Sequence, residues 1–157
     1  MLNPPINSSI AVFGAGSVGL AACLAAKLTK PKHLIVIDNT PAKFDLMPED
    51  IVTHTVCSEG LKEGQVAEKL EEITQGRGVD YVLDCAGVGQ LLTDSHTALA
   101  SRGTLLTVGG GPSSVSIDLT AQLTKGATYR GTHQGDSVPA TVSSDASRIR
   151  TMAFTNH

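Results

Sequence analysis

Gly14, Gly16 and Gly19 stand in the spacing G-x-G-x-x-G, and Asp38 follows nineteen residues after the last of them. Glycine is common, so the spacing alone says little; its surroundings say more. Ser9-Ile10-Ala11-Val12-Phe13 before it is a short apolar run rich in strand formers. From Val18 to Leu28 the chain has strong helix propensity and then meets Pro31. Strand, glycine turn and helix is the setting in which such a turn holds a dinucleotide. Gly14 allows the tight turn, Gly16 lets a pyrophosphate approach the backbone, and Gly19 lets the helix pack close to the strand. Free N–H groups at the start of the helix, those of Ser17 and Val18 among them, then face the phosphates at the positive end of the helix dipole. A glycine-rich turn that binds nothing would look the same, and Asp38 tips the balance toward binding.

Asp38 ends His33-Leu34-Ile35-Val36-Ile37-Asp38, a run that reads as a fully buried parallel strand. Its distance from Gly19 is close to that at which an acid accepts the hydroxyls of an adenosine ribose. A 2′-phosphate there would meet its negative charge. Asn39 and Thr40 follow, with no Arg beside them to hold such a phosphate. NAD is therefore expected in preference to NADP. Capping the next helix is the plainer role for Asp38, and the two roles are compatible. Lys43, five residues on, could reach the same ribose or could simply be solvated.

A chain of 157 residues suits one domain able to bury about 70% of its unfolded surface. Hydrophobic residues are 41% and aromatics 3%, so the core is aliphatic, as in parallel sheets. The net charge of −3 with no basic block argues against nucleic acid or an anionic membrane as partner. No apolar run is long enough to span a bilayer, and Met1-Leu2-Asn3-Pro4-Pro5 lacks the pattern of a signal peptide. Cys23, Cys57 and Cys85 are odd in number and widely spaced, which supports neither a disulfide framework nor a C-x-x-C zinc pair. A reducing, cytoplasmic location is expected.

The remaining elements read in order. Val18, Ala21, Ala22, Ala25 and Leu28 share one face of the first helix. A short helix is expected over 42–46 and a weak strand over 53–56. Gln65 to Thr74 forms an amphipathic helix with Val66, Leu70 and Ile73 inward, ended by Gly76. Val79 to Asp84 is a strand running into the small turn Cys85-Ala86-Gly87. A helix over 91–100 leads to a strand over 103–108, followed by Gly109-Gly110-Gly111. Residues 114–119 alternate as a half-buried strand would, 119–125 form a helix closed by Gly126, and 127–132 form the last strand. Alternating strands and helices call for right-handed βαβ units and a parallel sheet. Ligands sit at the carboxyl ends of such strands, where three glycine-bearing turns gather. Residues 136–157 form a poorly structured tail, with a marginal helix near 146–154, so the folded domain is expected to cover 1–135.

Three segments together resemble one family: Ala11-Val12-Phe13-Gly14-Ala15-Gly16-Ser17-Val18-Gly19-Leu20, Gly78-Val79-Asp80-Tyr81-Val82-Leu83-Asp84-Cys85-Ala86-Gly87 and Gly103-Thr104-Leu105-Leu106-Thr107-Val108-Gly109. They are similar to the cofactor domain of the medium-chain, zinc-dependent alcohol dehydrogenases, nearest the aryl (benzyl) alcohol branch. Thr128 to Thr132 and Gly135 to Pro139 resemble that family's last sheet strand and following turn. The resemblance spans about 8–139 and implies a Rossmann fold, an α/β doubly wound six-stranded parallel sheet. It implies that Asp38 and Lys43 take the adenosine ribose and that Cys85, Ala86 and Gly87 lie over NAD. By the same resemblance, the backbone of Val108, Gly109 and Gly110 meets the nicotinamide carboxamide. It further implies a homodimer joined across the sheet edge near 114–119 and 127–132.

In the resembled enzymes the zinc ligands lie in a separate, mostly N-terminal domain, upstream of everything matched here. The expectation is thus an NAD(H)-binding domain of an alcohol-dehydrogenase-like oxidoreductase without the zinc-bearing catalytic domain, and a chain that is a fragment or a shortened product. No catalytic and no metal-binding residues are assigned to it. A non-catalytic nucleotide-sensing module is the alternative. A methyltransferase also binds a ribose through an acid after its second strand, but the three-glycine spacing and the Gly103-to-Gly111 segment speak against it.

Overall fold

The computed structural model describes residues 2–132. β1 (Ser9–Phe13) leads through α1 (Ser17–Lys27) to β2 (His33–Asp38), and a 3₁₀ turn (Pro41–Leu46) leads to β3 (His54–Cys57). α2 (Gln65–Ile73) leads to β4 (Val79–Asp84), α3 (Gly89–Ala98) to β5 (Leu99–Thr107), and α4 (Leu119–Lys125) to β6 (Thr128–Gly131). All six strands are parallel, in the order β3-β2-β1-β4-β5-β6. This is the expected doubly wound Rossmann sheet. The tail over 136–157, its marginal helix and His133 lie outside the described residues.

Period-two alternation divides the core between the two faces of the sheet. Ile10 and Val12 of β1 and Leu34 and Val36 of β2 pack with Cys23 and Ala26 of α1. Ala11, Phe13, Ile35 and Ile37 point the other way and pack with Val66, Ala67 and Leu70 of α2. Both faces being covered, β1 is buried at every position, which explains its unbroken apolar run. The carboxylate of Asp94, on α3, is buried and accepts the N–H groups of Gly64 at 2.8 Å and Val66 at 3.3 Å. A side chain from α3 thereby caps the start of the preceding helix, α2, at a Gly64 that has no side chain of its own to do so.

Three expectations need correction. The buried face of α1 carries Gly19, Cys23 and Ala26, while Val18 and Leu28 are exposed. The close packing of Gly19 on the preceding turn sets which side of the helix meets the sheet, and Val18 lies about 100° around the helix from it. The helix expected over 91–100 ends at Ala98, and Leu99 already pairs with Val79 in the sheet. The pairing register then shifts, and Arg102 adopts a left-handed φ of 63° just before the regular ladder resumes at Thr104. Residues 114–119 form no strand: their alternation has no partner strand, and Asp118 instead caps α4 through the N–H groups of Thr120 and Ala121.

Candidate functional site

β1 lies between β2 and β4, so the chain leaves it toward one side of the sheet and later returns on the other. That reversal opens a crevice at the carboxyl ends of β1 and β4, the place where open α/β sheets bind ligands. Here it is a cleft of about 410 Å³. Gly14, Gly16, Asp38, Lys43, Cys85 and Ala86 line it, which brings six of the expected site residues together.

The glycines divide by what surrounds them. A Cβ on Gly19 would stand 1.7 Å from the carbonyl oxygen of Gly14, so α1 rests directly on the turn. Gly87, at a left-handed φ of 67°, would place a Cβ 1.7 Å from the carbonyl oxygen of Gly110. A Cβ on Gly109 would meet the carbonyl carbon of Cys85 at 2.9 Å. The turns after β4 and β5 therefore interlock, backbone against backbone. Gly16 differs: its φ is −82°, and nothing lies within 4 Å of where a Cβ would sit. Neither conformation nor packing within the chain calls for glycine there. Gly16 also precedes α1 without a side-chain cap, leaving the first N–H groups of the helix, at exposed Ser17 and Val18, without intrahelical partners.

Asp38 is buried at the tip of β2. One carboxylate oxygen accepts the N–H of Ala15 at 2.8 Å, and the other accepts the N–H of Thr40 at 2.9 Å. The Lys43 ammonium donates to both oxygens at 3.1 Å. Asp38 thus ties the glycine turn to the end of the second strand and also ties down the start of the 3₁₀ turn. Burial pushes its carboxyl up, but the Ala15 N–H, the Lys43 ammonium and the Thr40 N–H outweigh burial and hold it below the ordinary carboxylate range. Its hold on the turn is therefore present at neutral pH and is lost only as pH falls through that lowered value. A carboxylate offers about four acceptor positions. Two go to the main-chain N–H groups, and the Lys43 ammonium takes one on each oxygen.

Ser17, Val18, Gly19, Gly87, Val108, Gly109 and Gly110 do not line the cleft itself. Gly19 is buried beneath it, Ser17 and Val18 stand exposed at the start of α1, and the Val108–Gly110 turn backs the Cys85–Gly87 turn. Ser58, Leu61 and Val66 form the wall beyond Asp38, and Val88, Gln90 and Leu91 form the wall beyond Ala86. These six were not expected from the sequence. Their signal was positional: Ser58 directly follows β3, and Val88 to Leu91 open the helix after β4, both at carboxyl ends. The Cys85 thiol is pushed up to about 11, by burial first and then by the carboxylate of Asp84. Burial, and then Cys85, raise Cys23 to about 12. Both are protonated, unreactive thiols at neutral pH.

Among the described residues no three or more His, Cys, Asp or Glu side chains converge where they could hold a metal ion. The residues do fit a dinucleotide: an open approach at Gly16, free N–H groups behind it, and an acceptor carboxylate at Asp38. No helix among the described residues is long and apolar enough to cross a membrane.

Residues 17–150 match the family model described as zinc-binding dehydrogenase. A probable alcohol dehydrogenase from a Pseudomonas species is 33% identical over 132 residues, which is 82% of this chain and 40% of that protein. The crystal structure of an alcohol dehydrogenase zinc-binding domain protein from Burkholderia ambifaria superposes with a TM-score of 0.85 at 34% identity, over 95% of this chain and 40% of that one. Benzyl alcohol dehydrogenase from Acinetobacter calcoaceticus gives a TM-score of 0.85 at 26% identity, over 95% and 41%. The chain thus spans about 40% of the length of the relatives it matches.

Proposed function

This chain belongs to the zinc-binding dehydrogenase family, and from that premise we propose that it is the dinucleotide-binding domain of an alcohol-dehydrogenase-like oxidoreductase, with NAD(H) as its ligand. Gly16 carries the reading. It is a glycine that neither the backbone nor any neighbour requires, set before an uncapped helix and beside a buried carboxylate. The turn Gly14 to Gly19 cradles the pyrophosphate through the N–H groups of Ser17 and Val18. Asp38 accepts an adenosine ribose hydroxyl as Lys43 yields one of its two contacts. Cys85, Ala86 and Gly87 cover the middle of the dinucleotide, and Val108, Gly109 and Gly110 support its nicotinamide end. Bound there, the nicotinamide would supply a hydride acceptor; these residues bind and orient it. The reducing cytoplasm suits a chain whose three cysteines are free thiols.

Cofactor choice tests the reading. An ionised carboxylate accepts hydrogen bonds and has none to donate. A ribose 2′-hydroxyl offers it a hydrogen, whereas a 2′-phosphate offers only charge of the same sign. Fluorescence titration is expected to show NADH binding at least tenfold more tightly than NADPH, about 1.4 kcal/mol. Asp38→Ala should narrow that gap by weakening NADH. Equal binding of the two by the unmutated chain would overturn the assignment of Asp38.

The same reading extends to assembly. β6 closes one side of the sheet, and Leu119 and Leu123 of the adjoining α4 are 72% and 81% exposed. Open strand edges invite pairing with another chain. A homodimer through β6, with α4 rather than a strand over 114–119 as its flank, is expected. Light scattering at high micromolar concentration should give twice the 16.2 kDa chain mass, and a strictly monomeric mass would rule this out.

A further inference from the structure

His33 and His54 open β2 and β3 at the amino ends of the strands, across the sheet from the nucleotide cleft. Their ring centres lie 5.7 Å apart, with the planes at 83°. Thr53 anchors one of them through its hydroxyl. Its hydroxyl lies 3.0 Å from the carbonyl oxygen of Leu34 and accepts the Leu34 N–H at 2.9 Å. The same hydroxyl lies 2.9 Å from His54 Nδ1, where it can accept an N–H from the ring. In the Nδ1–H tautomer that this contact accommodates, Nε2 of His54 carries a bare lone pair. His33 Nδ1 lies 3.1 Å from the hydroxyl of Ser9, which can accept an N–H in the same way. Anchoring one ring nitrogen while freeing the other is what orients an imidazole as a metal ligand.

We propose that His33 and His54 together hold one divalent cation of the Zn²⁺, Ni²⁺ or Cu²⁺ class through their Nε2 atoms, with water completing its coordination. Imidazole suits these ions, whereas magnesium and calcium call for oxygen ligands. With metal–nitrogen bonds of about 2.0–2.1 Å and a tetrahedral angle, two ligating rings have centres about 5 Å apart. The observed 5.7 Å is close to that separation. His54 is exposed and His33 half-buried, so an ion can reach both. When the cation takes Nε2 of His33, its Nδ1 proton is donated to Ser9. The neighbouring Lys32 opposes the added charge and keeps the site weaker than a closed structural site. This site is separate from the dinucleotide reading and stands or falls without it.

The test is a titration of the full chain with Ni²⁺, followed by calorimetry and by the NMR ring signals of its five histidines. One equivalent should bind and broaden the signals of His33 and His54 before the others. His54→Gln should raise the dissociation constant at least tenfold, with circular dichroism confirming an intact fold. Ser9→Ala should weaken binding about tenfold, as loss of an outer-shell partner does. Absence of one-equivalent binding, undiminished binding by His54→Gln, or binding abolished by Cys57→Ser and not by His54→Gln would each overturn the proposal.

Discussion

Gly19→Ala is expected to cost about 3 kcal/mol or more of stability and, with it, dinucleotide binding. The added methyl would stand 1.7 Å from the carbonyl oxygen of Gly14 and 2.8 Å from its carbonyl carbon. Both are main-chain atoms of the tight turn, so no side-chain rotation relieves the clash. Overpacking a core normally costs about 1–3 kcal/mol, and more where the neighbours cannot move. Relief requires α1 to slide off β1, which opens the face where Cys23 is fully buried and Ala26 nearly so. The same slide carries away the free N–H groups at the start of the helix. Gly16→Ala is the matched control. With φ at −82° and nothing within 4 Å, its methyl should change stability by less than about 0.5 kcal/mol. It should nonetheless weaken NADH at least tenfold by filling the pyrophosphate's approach. Thermal unfolding and NADH titration of the two variants check both statements. A Gly19→Ala chain as stable as the parent would contradict the packing argument. A Gly16→Ala chain that binds NADH as the parent does would remove the main support for the dinucleotide reading.

Those two glycines show why part of the site was legible in the sequence. A tight turn, a ligand's approach and a helix lying on a strand are local demands, each with its own position in a six-residue pattern. Asp38 was legible for a similar reason, since the length of one βα unit fixes its distance from the turn. The face of α1 was misjudged because alanines spread around the whole helix and blur the apolar stripe. Gly19 was the better guide, as the residue that must touch the turn marks the buried side. Residues 114–119 were misread because alternation describes a half-buried strand only when another strand pairs with it, and pairing is not a local property. The interlocking of Gly87 with Gly110 and the capping of α2 by Asp94 join segments more than twenty residues apart. Nothing in the residues themselves marks such contacts in advance. Ser58 and Gln90 are ordinary polar residues that become cleft walls only through their places at the carboxyl ends of the strands.

Mixed with NAD and a panel of aryl and aliphatic alcohols, the 157-residue chain is expected to bind the dinucleotide and produce no NADH. Oxidising an alcohol requires its hydroxyl proton to leave while hydride departs from the carbon, so a base or an electrophile must sit beside the nicotinamide. The described cleft supplies neither. Asp38, at the tip of β2, is held by Ala15, Thr40 and Lys43. Asp84, at the tip of β4, is buried and holds the N–H groups of Ala86 and Gly87 through one oxygen. Cys85, with its thiol pushed up to about 11, stays protonated at neutral pH and is neither a base nor a ready ligand. No set of three ligating side chains converges among the described residues. Positioning both reactants can contribute about 7–11 kcal/mol to a reaction of this kind, and the proposed site would hold only the dinucleotide. Absorbance at the NADH band, with and without added Zn²⁺, is the measurement. Turnover that persists after chelation and repurification would show a base that the described residues do not reveal. Zinc-dependent turnover abolished by Cys85→Ser would show that Cys85 ligates a metal despite its raised pKa.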